Sequence, residues 1–372
     1  VATTLVTGAS LWPAYSVREG LALVALGAVL GAGLVAVLAG VGPRLGVPSI
    51  IALRAAMGAR GAAAIAVLLY LTNFAWIALN NAIAASALAR VAGGPASEKA
   101  WAVGVGLLAT AVVAAGPRAV GRADRVAVPV MAITGALLLW RGLHLPPDLL
   151  AGPGSGSMSL WRGLDVVVAY QVSWILMFAD YSRYTASARA ASWAVFLGLA
   201  LTAIWFMPIG VLAARAAGSA DTGAMIDALG LGATGAVLVA VGTVTTNFVN
   251  VYLSALAWKS LFPGASPRVA VWLIGGVGSL LALFSGGWLD RYADLMIVLG
   301  GLLVPVGGIL IARFVLPAPP VDVGALYRGG GPDEAHAVPA AVAWVLGAIA
   351  YYAAESIGGT LPALATTAVA YR

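Results

Sequence analysis

The hydrophobic positions of this chain fall in long unbroken runs, not at the alternating spacing of a half-buried strand or the stripe of a surface helix. About 20 consecutive apolar residues carry a helix across the hydrocarbon core of a bilayer. The pattern predicts such helices near Gly20–Val41, Ala63–Val91, Trp101–Ala115, Arg125–Trp140, Asp165–Ala179, Trp193–Ala214, Gly230–Leu261, Val269–Ser285, Leu295–Val315 and Val338–Ala354. Shorter runs at Val1–Pro13 and Leu361–Tyr371 are expected to be a first and a last helix that are cut short. The longest polar connections are Arg141–Gly163 and Pro317–His336, and no soluble domain fits between the runs. The expectation is an all-α polytopic membrane protein.

Composition narrows this further. The chain is 62% hydrophobic and only 9% charged, against roughly 25% charged in soluble domains, and its mean hydropathy is +0.98. Its expected surroundings are the lipid bilayer. With no cysteine, disulfides and thiolate metal sites are excluded. The histidines, His144 and His336, both fall in polar connections, which argues against a histidine-built metal site. A net charge of +6 would suggest a nucleic-acid partner in a soluble protein. Here the arginine bias of cytoplasmic loops accounts for it, and no nucleic acid is expected. If the loop after the Gly20–Val41 helix is cytoplasmic, then Arg44, Arg54, Arg60, Arg118, Arg122, Arg125, Arg183, Arg189, Lys259, Arg268, Arg313, Arg328 and Arg372 lie inside. Arg18, Arg90, Lys99, Arg141, Arg162, Arg215 and Arg291 then lie outside. The ratio is about two to one and puts the N-terminus in the cytoplasm. The abundance of Ala, Gly and Arg points to a high-GC bacterial gene, hence to a bacterial inner membrane.

Polar side chains inside such helices cost free energy unless they face protein or a watery cavity, so they mark candidate chemistry. The sixth run places Tyr170, Gln171, Ser173 and Trp174 at mid-depth and closes on Asp180-Tyr-Ser-Arg183. Binding spans of transporters carry such groups where a helix is locally unwound. In the third run Asn73, Trp76 and Asn80 share one helical face. Two amides and an indole suit a flat heterocycle, which stacks on the ring and pairs its N–H/C=O edge with the amides. The alternative is that the asparagines tie neighbouring helices together. In the eighth run Thr243, Asn247, Asn250 and Ser254 form one face, with Thr245 and Thr246 beside it. Hydroxyls and a free carbonyl without a carboxylate suit a monovalent cation, sodium before calcium or magnesium. Alternatively the hydroxyls bond back to i−4 carbonyls.

Asp180 and Arg183 read either as part of an inner gate or as a surface ion pair at a helix end. In the tenth run Gly300-Gly-Leu-Leu-Val-Pro-Val-Gly-Gly308, centred on Pro305, fits a moving gate helix or a tightly packed static one. Asp221, Asp227 and Asp290 are expected in external loops and Glu355 at the end of a span, so no buried carboxylate pair signals a proton relay. No nucleophile, nucleotide or zinc motif is present, and the chain does not read as an enzyme.

In sequence order, Gly46-Val-Pro-Ser-Ile-Ile-Ala-Leu-Arg-Ala-Ala-Met-Gly-Ala-Arg-Gly61 resembles the loop between the second and third helices of the nucleobase–cation symporters. Trp76 is similar to their third-helix tryptophan, Asp180-Tyr-Ser-Arg183 to their Asp-aromatic-x-Arg signature, Thr245-Thr-Asn247 to their eighth-helix motif, and Val304-Pro-Val-Gly-Gly308 to their tenth helix. That family includes cytosine permeases and the carriers of hydantoin, allantoin and hydroxymethylpyrimidine.

The resemblance implies a five-plus-five inverted repeat, as in amino-acid sodium symporters, plus two C-terminal helices. The whole of 1–372 would be one transport domain, with repeats near 1–140 and 164–315 and extra helices near 337–372. It implies alternating access, sodium held by Gly242 (through its carbonyl), Thr245 and Thr246 with first-helix carbonyls, and a substrate stacked on Trp76. Asn73, Asn80 and Asn247 would bond the substrate's edge, with Asn250 on the same face. The family's sandwiching aromatic is replaced by Gln171, so Tyr170 or Trp174 would supply the second face and Gln171 a further amide. The expected activity is import of a small planar nitrogen heterocycle, a pyrimidine such as hydroxymethylpyrimidine or cytosine, coupled to Na+ or alternatively H+, by a monomer. A carrier of allantoin, hydantoin, a purine or an amino acid on the same fold is the alternative.

Overall fold

The computed structural model of this chain describes residues 2–262, 264–284, 292–328 and 335–372. Ser285, Asp290 and Arg291, placed above at a helix end and in an outer loop, lie outside the described residues. The described residues form helices joined by turns, and there is no strand among them. The physical reason is local: in hydrocarbon a backbone must satisfy its own N–H and C=O groups, and the helix does so within one segment.

The helices are α1 Ala2–Ala9, α2 Val17–Ala39, α3 Val41–Leu45, α4 Ser49–Val91, α5 Glu98–Ala114, α6 Pro117–Leu143, α7 Pro147–Leu150, α8 Leu160–Val172, α9 Ala188–Ala217, α10 Thr222–Ala228, α11 Gly232–Leu261, α12 Pro267–Leu281, α13 Tyr292–Phe314, α14 Ala325–Arg328, α15 Ala337–Ala353 and α16 Thr360–Tyr371. Among the described residues eight segments are long and apolar enough to cross a membrane. Large apolar side chains such as Leu108, Ile133, Leu201, Val269 and Val338 stand exposed on these helices, as lipid contact requires.

Each apolar run of the sequence contains a helix, but two boundaries differ from expectation. The segment 46–61, expected as a loop, is helical from Ser49. Pro48 opens it by lending its carbonyl to the Ile51 and Ala52 amides. At Gly58, φ is +68° and ψ is 174°, a conformation open only to glycine, and the helix breaks there before resuming toward Val91. The sixth run is not one helix: α8 ends at Val172, and single 3₁₀ turns follow at Ile175–Met177 and Ser182–Tyr184.

The chain forms two compact units. The first comprises Val1–Leu21, Val67–Ser157 and Trp205–Ala293, the second Ala22–Ala66, Met158–Ile204 and Asp294–Arg372. Each therefore draws on both of the sequence halves 1–140 and 164–315.

In the first unit α1 crosses α9 backbone to backbone. A side-chain carbon on Gly8 would collide with the Met207 main chain, and one on Gly210 with the Leu5 carbonyl. Leu5, Leu138, Phe206, Ile209 and Met225 fill the core around this crossing. A second cluster, Ile77, Val251, Ala270 and Ile274, joins α4, α11 and α12.

In the second unit the break at Gly58 leaves carbonyls of the preceding turn without helical donors. Two of them are satisfied from elsewhere: Ala55 O accepts from Arg313 Nε at 2.9 Å and Ala56 O from the Tyr371 hydroxyl at 2.7 Å. Arg54 in turn donates to the Leu326 carbonyl at 2.9 Å. Pro305 is buried in α13, beside Gly347 of α15, where a side chain would strike the proline ring. The α13–α15 contact is fixed further by Trp344 Nε1, which donates to Leu302 O at 2.9 Å.

Candidate functional site

In the first unit, α4 and α11 face one another across a buried row of amides and hydroxyls. Asn73 Nδ2 donates to Ser254 Oγ at 2.8 Å, and Ser254 Oγ donates to the Asn250 carbonyl at 2.8 Å. One turn along, Asn250 Nδ2 donates to Asn247 Oδ1 at 3.2 Å and Asn247 Nδ2 to Asn81 Oδ1 at 2.8 Å. Helical spacing accounts for the row, since positions 247, 250 and 254 recur on one face.

The structure thus brings Asn73, Asn247 and Asn250 together, and much of their capacity goes to helix–helix ties. Asn80 sits differently. Its Nδ2 donates to the Trp76 carbonyl at 2.8 Å, and its Oδ1 is buried with no partner among the described residues. The Trp76 ring is half-buried on the same face. Asn81 Nδ2 and Thr243 Oγ1 are likewise buried with no partner among the described residues. A polar atom in that state costs about 1–3 kcal/mol, and the three lie on the two facing helices.

Asn81 is the residue that sequence reasoning passed over. It adjoins Asn80 but points about 100° away around the helix. The signal was the doubled asparagine, which puts one amide on each of two faces.

The hydroxyl pair lies on the same helix. Thr246 Oγ1 donates to Gly242 O at 2.7 Å, and Thr245 Oγ1 shares its hydrogen between Gly242 O and Val241 O, both at 3.1 Å. The back-bonded arrangement is therefore the one present. It does not exclude a cation: each hydroxyl has spent its hydrogen and keeps oxygen lone pairs, which are what a cation needs. The Gly242 carbonyl already accepts from both threonines and is the least available of the three expected ligands. The helix α1 also touches α11, so backbone carbonyls of the first helix lie within the same unit.

In the second unit the groups at the end of α8 are engaged locally. Gln171 is buried, pressed against Gly31 of α2, and its Nε2 donates to Leu199 O of α9 at 3.1 Å. That makes it a tie between α8 and α9. Tyr170 is buried, with its carbonyl taking the Ser173 hydroxyl at 2.7 Å, and Trp174 lies half-buried in the unwound stretch.

Asp180 and Arg183 do not form the ion pair weighed above. Asp180 is buried, and its Oδ1 accepts from the Ser49 amide at 3.1 Å while Ser49 Oγ accepts from the Ala179 amide at 2.9 Å. The carboxylate therefore caps the start of α4, where the helix dipole favours negative charge. Arg183 turns instead onto Tyr184, 2.7 Å from its hydroxyl and 4.8 Å over its ring.

At another edge of the first unit, Arg90 pairs with Asp221 at 2.6 Å and Asp227 at 3.1 Å, the N-cap and a last-turn residue of α10. Being exposed, these pairs contribute only about 0–1 kcal/mol each.

A family model described as a permease for cytosine/purines, uracil, thiamine and allantoin matches residues 1–371. The cytosine permeases of Escherichia coli O157:H7 and of strain K12 are each 28% identical over 219 residues, covering 57% of this chain and 50% of theirs. The chain thus spans about half the length of the curated relatives it matches. Among solved structures, Mhp1, a nucleobase-cation-symport-1 family transporter in a closed conformation with bromovinylhydantoin bound, matches with TM-score 0.82 at 18% identity, over 99% of this chain and 87% of that one. Its inward-facing conformation gives 0.80 at 19% identity, over 100% and 87%. A Na+-coupled sialic acid symporter in a substrate-bound outward-open state gives 0.62 at 12%, over 99% and 88%. At these identities the likeness is one of fold.

Proposed function

This chain belongs to the family of permeases for cytosine/purines, uracil, thiamine and allantoin, and on that premise we propose that it imports a small planar nitrogen heterocycle by cation-coupled alternating access. The observation that carries the proposal is the buried polar row of α4 and α11, with Asn80 Oδ1 left without a partner beside Trp76. A pyrimidine such as hydroxymethylpyrimidine or cytosine fits this chemistry. Its ring stacks on the indole and its N–H or amino edge donates to Asn80 Oδ1. Asn247 supplies a second contact, and Asn73 and Asn250 hold the row in place. A hydantoin carries the same N–H/C=O edge and is the second candidate, supported by the likeness of fold to Mhp1.

Sodium is the proposed coupling ion. Thr245 and Thr246 would hold it with backbone carbonyls of α1, and the neutral donor set favours a monovalent ion. The bound ion supplies free energy and no chemistry: it and the substrate favour one conformation over the other and so shift the inward–outward equilibrium together. The repeats at 1–140 and 164–315, the extra helices at 337–372, a monomeric state and a bacterial inner membrane with the N-terminus inside complete the reading.

The test is a thermal-shift screen of the detergent-solubilised protein against pyrimidines, purines, hydantoins and amino acids, in sodium and in choline chloride. A heterocycle at about 100 times its Kd stabilises by about 2.7 kcal/mol, and more so in sodium. Stabilisation by amino acids alone would overturn the assignment. Trp76→Ala is expected to weaken heterocycle binding by about 1–3 kcal/mol, the worth of one lost stack. An unchanged affinity in a calorimetric titration removes Trp76 from the site.

A further inference from the structure

We propose that Asn81 is a positioning residue that fixes which way the Asn247 carboxamide faces and thereby sets the preference between amino- and oxo-pyrimidines. The proposal rests on the reading of the α4–α11 row as the substrate site.

A carboxamide has two N–H donors and two acceptor lone pairs, and rotating it by half a turn exchanges them. That rotation is a soft, twofold torsion, so a free amide offers either edge. The Asn247 amide is not free. Its Nδ2 is held by Asn81 Oδ1 at 2.8 Å and its Oδ1 by Asn250 Nδ2 at 3.2 Å. Asn81 and Asn247 are both completely buried.

Asn81 is closely packed. A side-chain carbon on Gly106 of α5 would collide with both Asn81 Nδ2 and Ser279 Oγ of α12. The hydroxyl hydrogen of Ser279 is spent on Gly275 O at 2.6 Å. Among the described residues Asn81 Nδ2 has no acceptor, so the engaged end of the side chain is the oxygen that holds Asn247.

The consequence is chemical. A 4-amino-pyrimidine presents a ring nitrogen acceptor beside an amino donor, whereas its 4-oxo analogue presents an N–H donor beside a carbonyl acceptor. A locked Asn247 matches one of these and opposes the other. An unlocked one turns to suit either.

The experiment measures equilibrium binding of cytosine and of uracil, in sodium, to the full chain and to Asn81→Ala, Asn81→Asp, Gly106→Ala and Asn247→Ala, each checked for monodispersity. In the unaltered protein the two affinities differ by on the order of 5- to 150-fold, the discrimination expected of one well-placed amide contact. In Asn81→Ala the ratio collapses toward one, chiefly because the disfavoured ring binds better. Gly106→Ala, whose added carbon collides with Asn81 Nδ2 and Ser279 Oγ, gives the same collapse and stands in should Asn81→Ala not fold. Asn81→Asp keeps an oxygen on Asn247 Nδ2 and retains the ratio. Equal weakening of both rings in Asn81→Ala, or an unchanged ratio there and in Gly106→Ala, overturns the positioning role. If Asn247→Ala leaves both affinities intact, the substrate-site reading itself fails. Binding of neither ring to the unaltered protein overturns both together.

Discussion

Replacing Thr245 and Thr246 together by alanine is expected to abolish the gain in substrate affinity that sodium confers. Coupling between an ion and a substrate amounts to about 1–3 kcal/mol, or 5- to 150-fold in affinity. The two hydroxyls contribute side-chain oxygens to the proposed ion site, and their removal leaves only backbone carbonyls. Of these, Gly242 O accepts from both threonines in the intact protein. The fold should tolerate the change. Both hydroxyls bond back within their own helix, both side chains are only half-buried, and alanine is the better helix former. Thr→Val at the same positions keeps the shape, removes the oxygens and should behave like alanine. Titration of the heterocycle in sodium and in choline chloride reads the effect directly. If sodium still tightens binding to the double variant, the ion is held elsewhere.

The second large effect is on stability. Arg313→Leu is expected to destabilise the protein by about 2–5 kcal/mol. Arg313 is 7% exposed, and its guanidinium serves two main-chain acceptors, Ala55 O at 2.9 Å and Pro319 O at 2.8 Å. Ala55 O lies in the turn just before the break at Gly58, at the negative end of the Ser49–Met57 helix, where a cation is doubly favoured. Leucine is apolar and shorter, and leaves both carbonyls unserved in an apolar setting. Lysine restores a charge without the planar fork, so Arg313→Lys should recover part of the loss. Thermal midpoints of the two variants in one detergent give the comparison. A leucine variant within about 0.5 kcal/mol of the parent, the range of a neutral surface substitution, would show that water or lipid serves those carbonyls instead.

Which residues share the polar faces of α4 and α11 could be read from residue spacing, and the reason is periodicity. Asn73, Trp76 and Asn80 share a face because a helix repeats every 3.6 residues, and the same holds for Asn247, Asn250 and Ser254. Which amide serves which partner could not be read this way. Asn81 meets Asn247, 166 positions away, while Asn80 turns to its own helix at Trp76. Gln171, expected to face a ligand, is engaged by Leu199 O. Asp180, with an arginine three residues on, caps a helix that begins 131 residues earlier. In each case the outcome depends on how closely two helices approach, which no local pattern carries.

The sequence by itself determined where the helices run and which of their faces are polar. A backbone in hydrocarbon has few alternatives to the helix, and both hydropathy and face are properties of neighbouring residues. Neither the helix that begins at Ser49 nor its break at Gly58 was visible in the sequence, where the stretch reads as a loop. The tertiary structure alone decided how the polar groups are spent: which become ties between helices, which cap an end, and which find no partner among the described residues. That division is set by distances of a few ångströms between segments remote in the chain. A hydrogen bond is lost over a shift of less than one ångström, far finer than a hydrophobic pattern resolves.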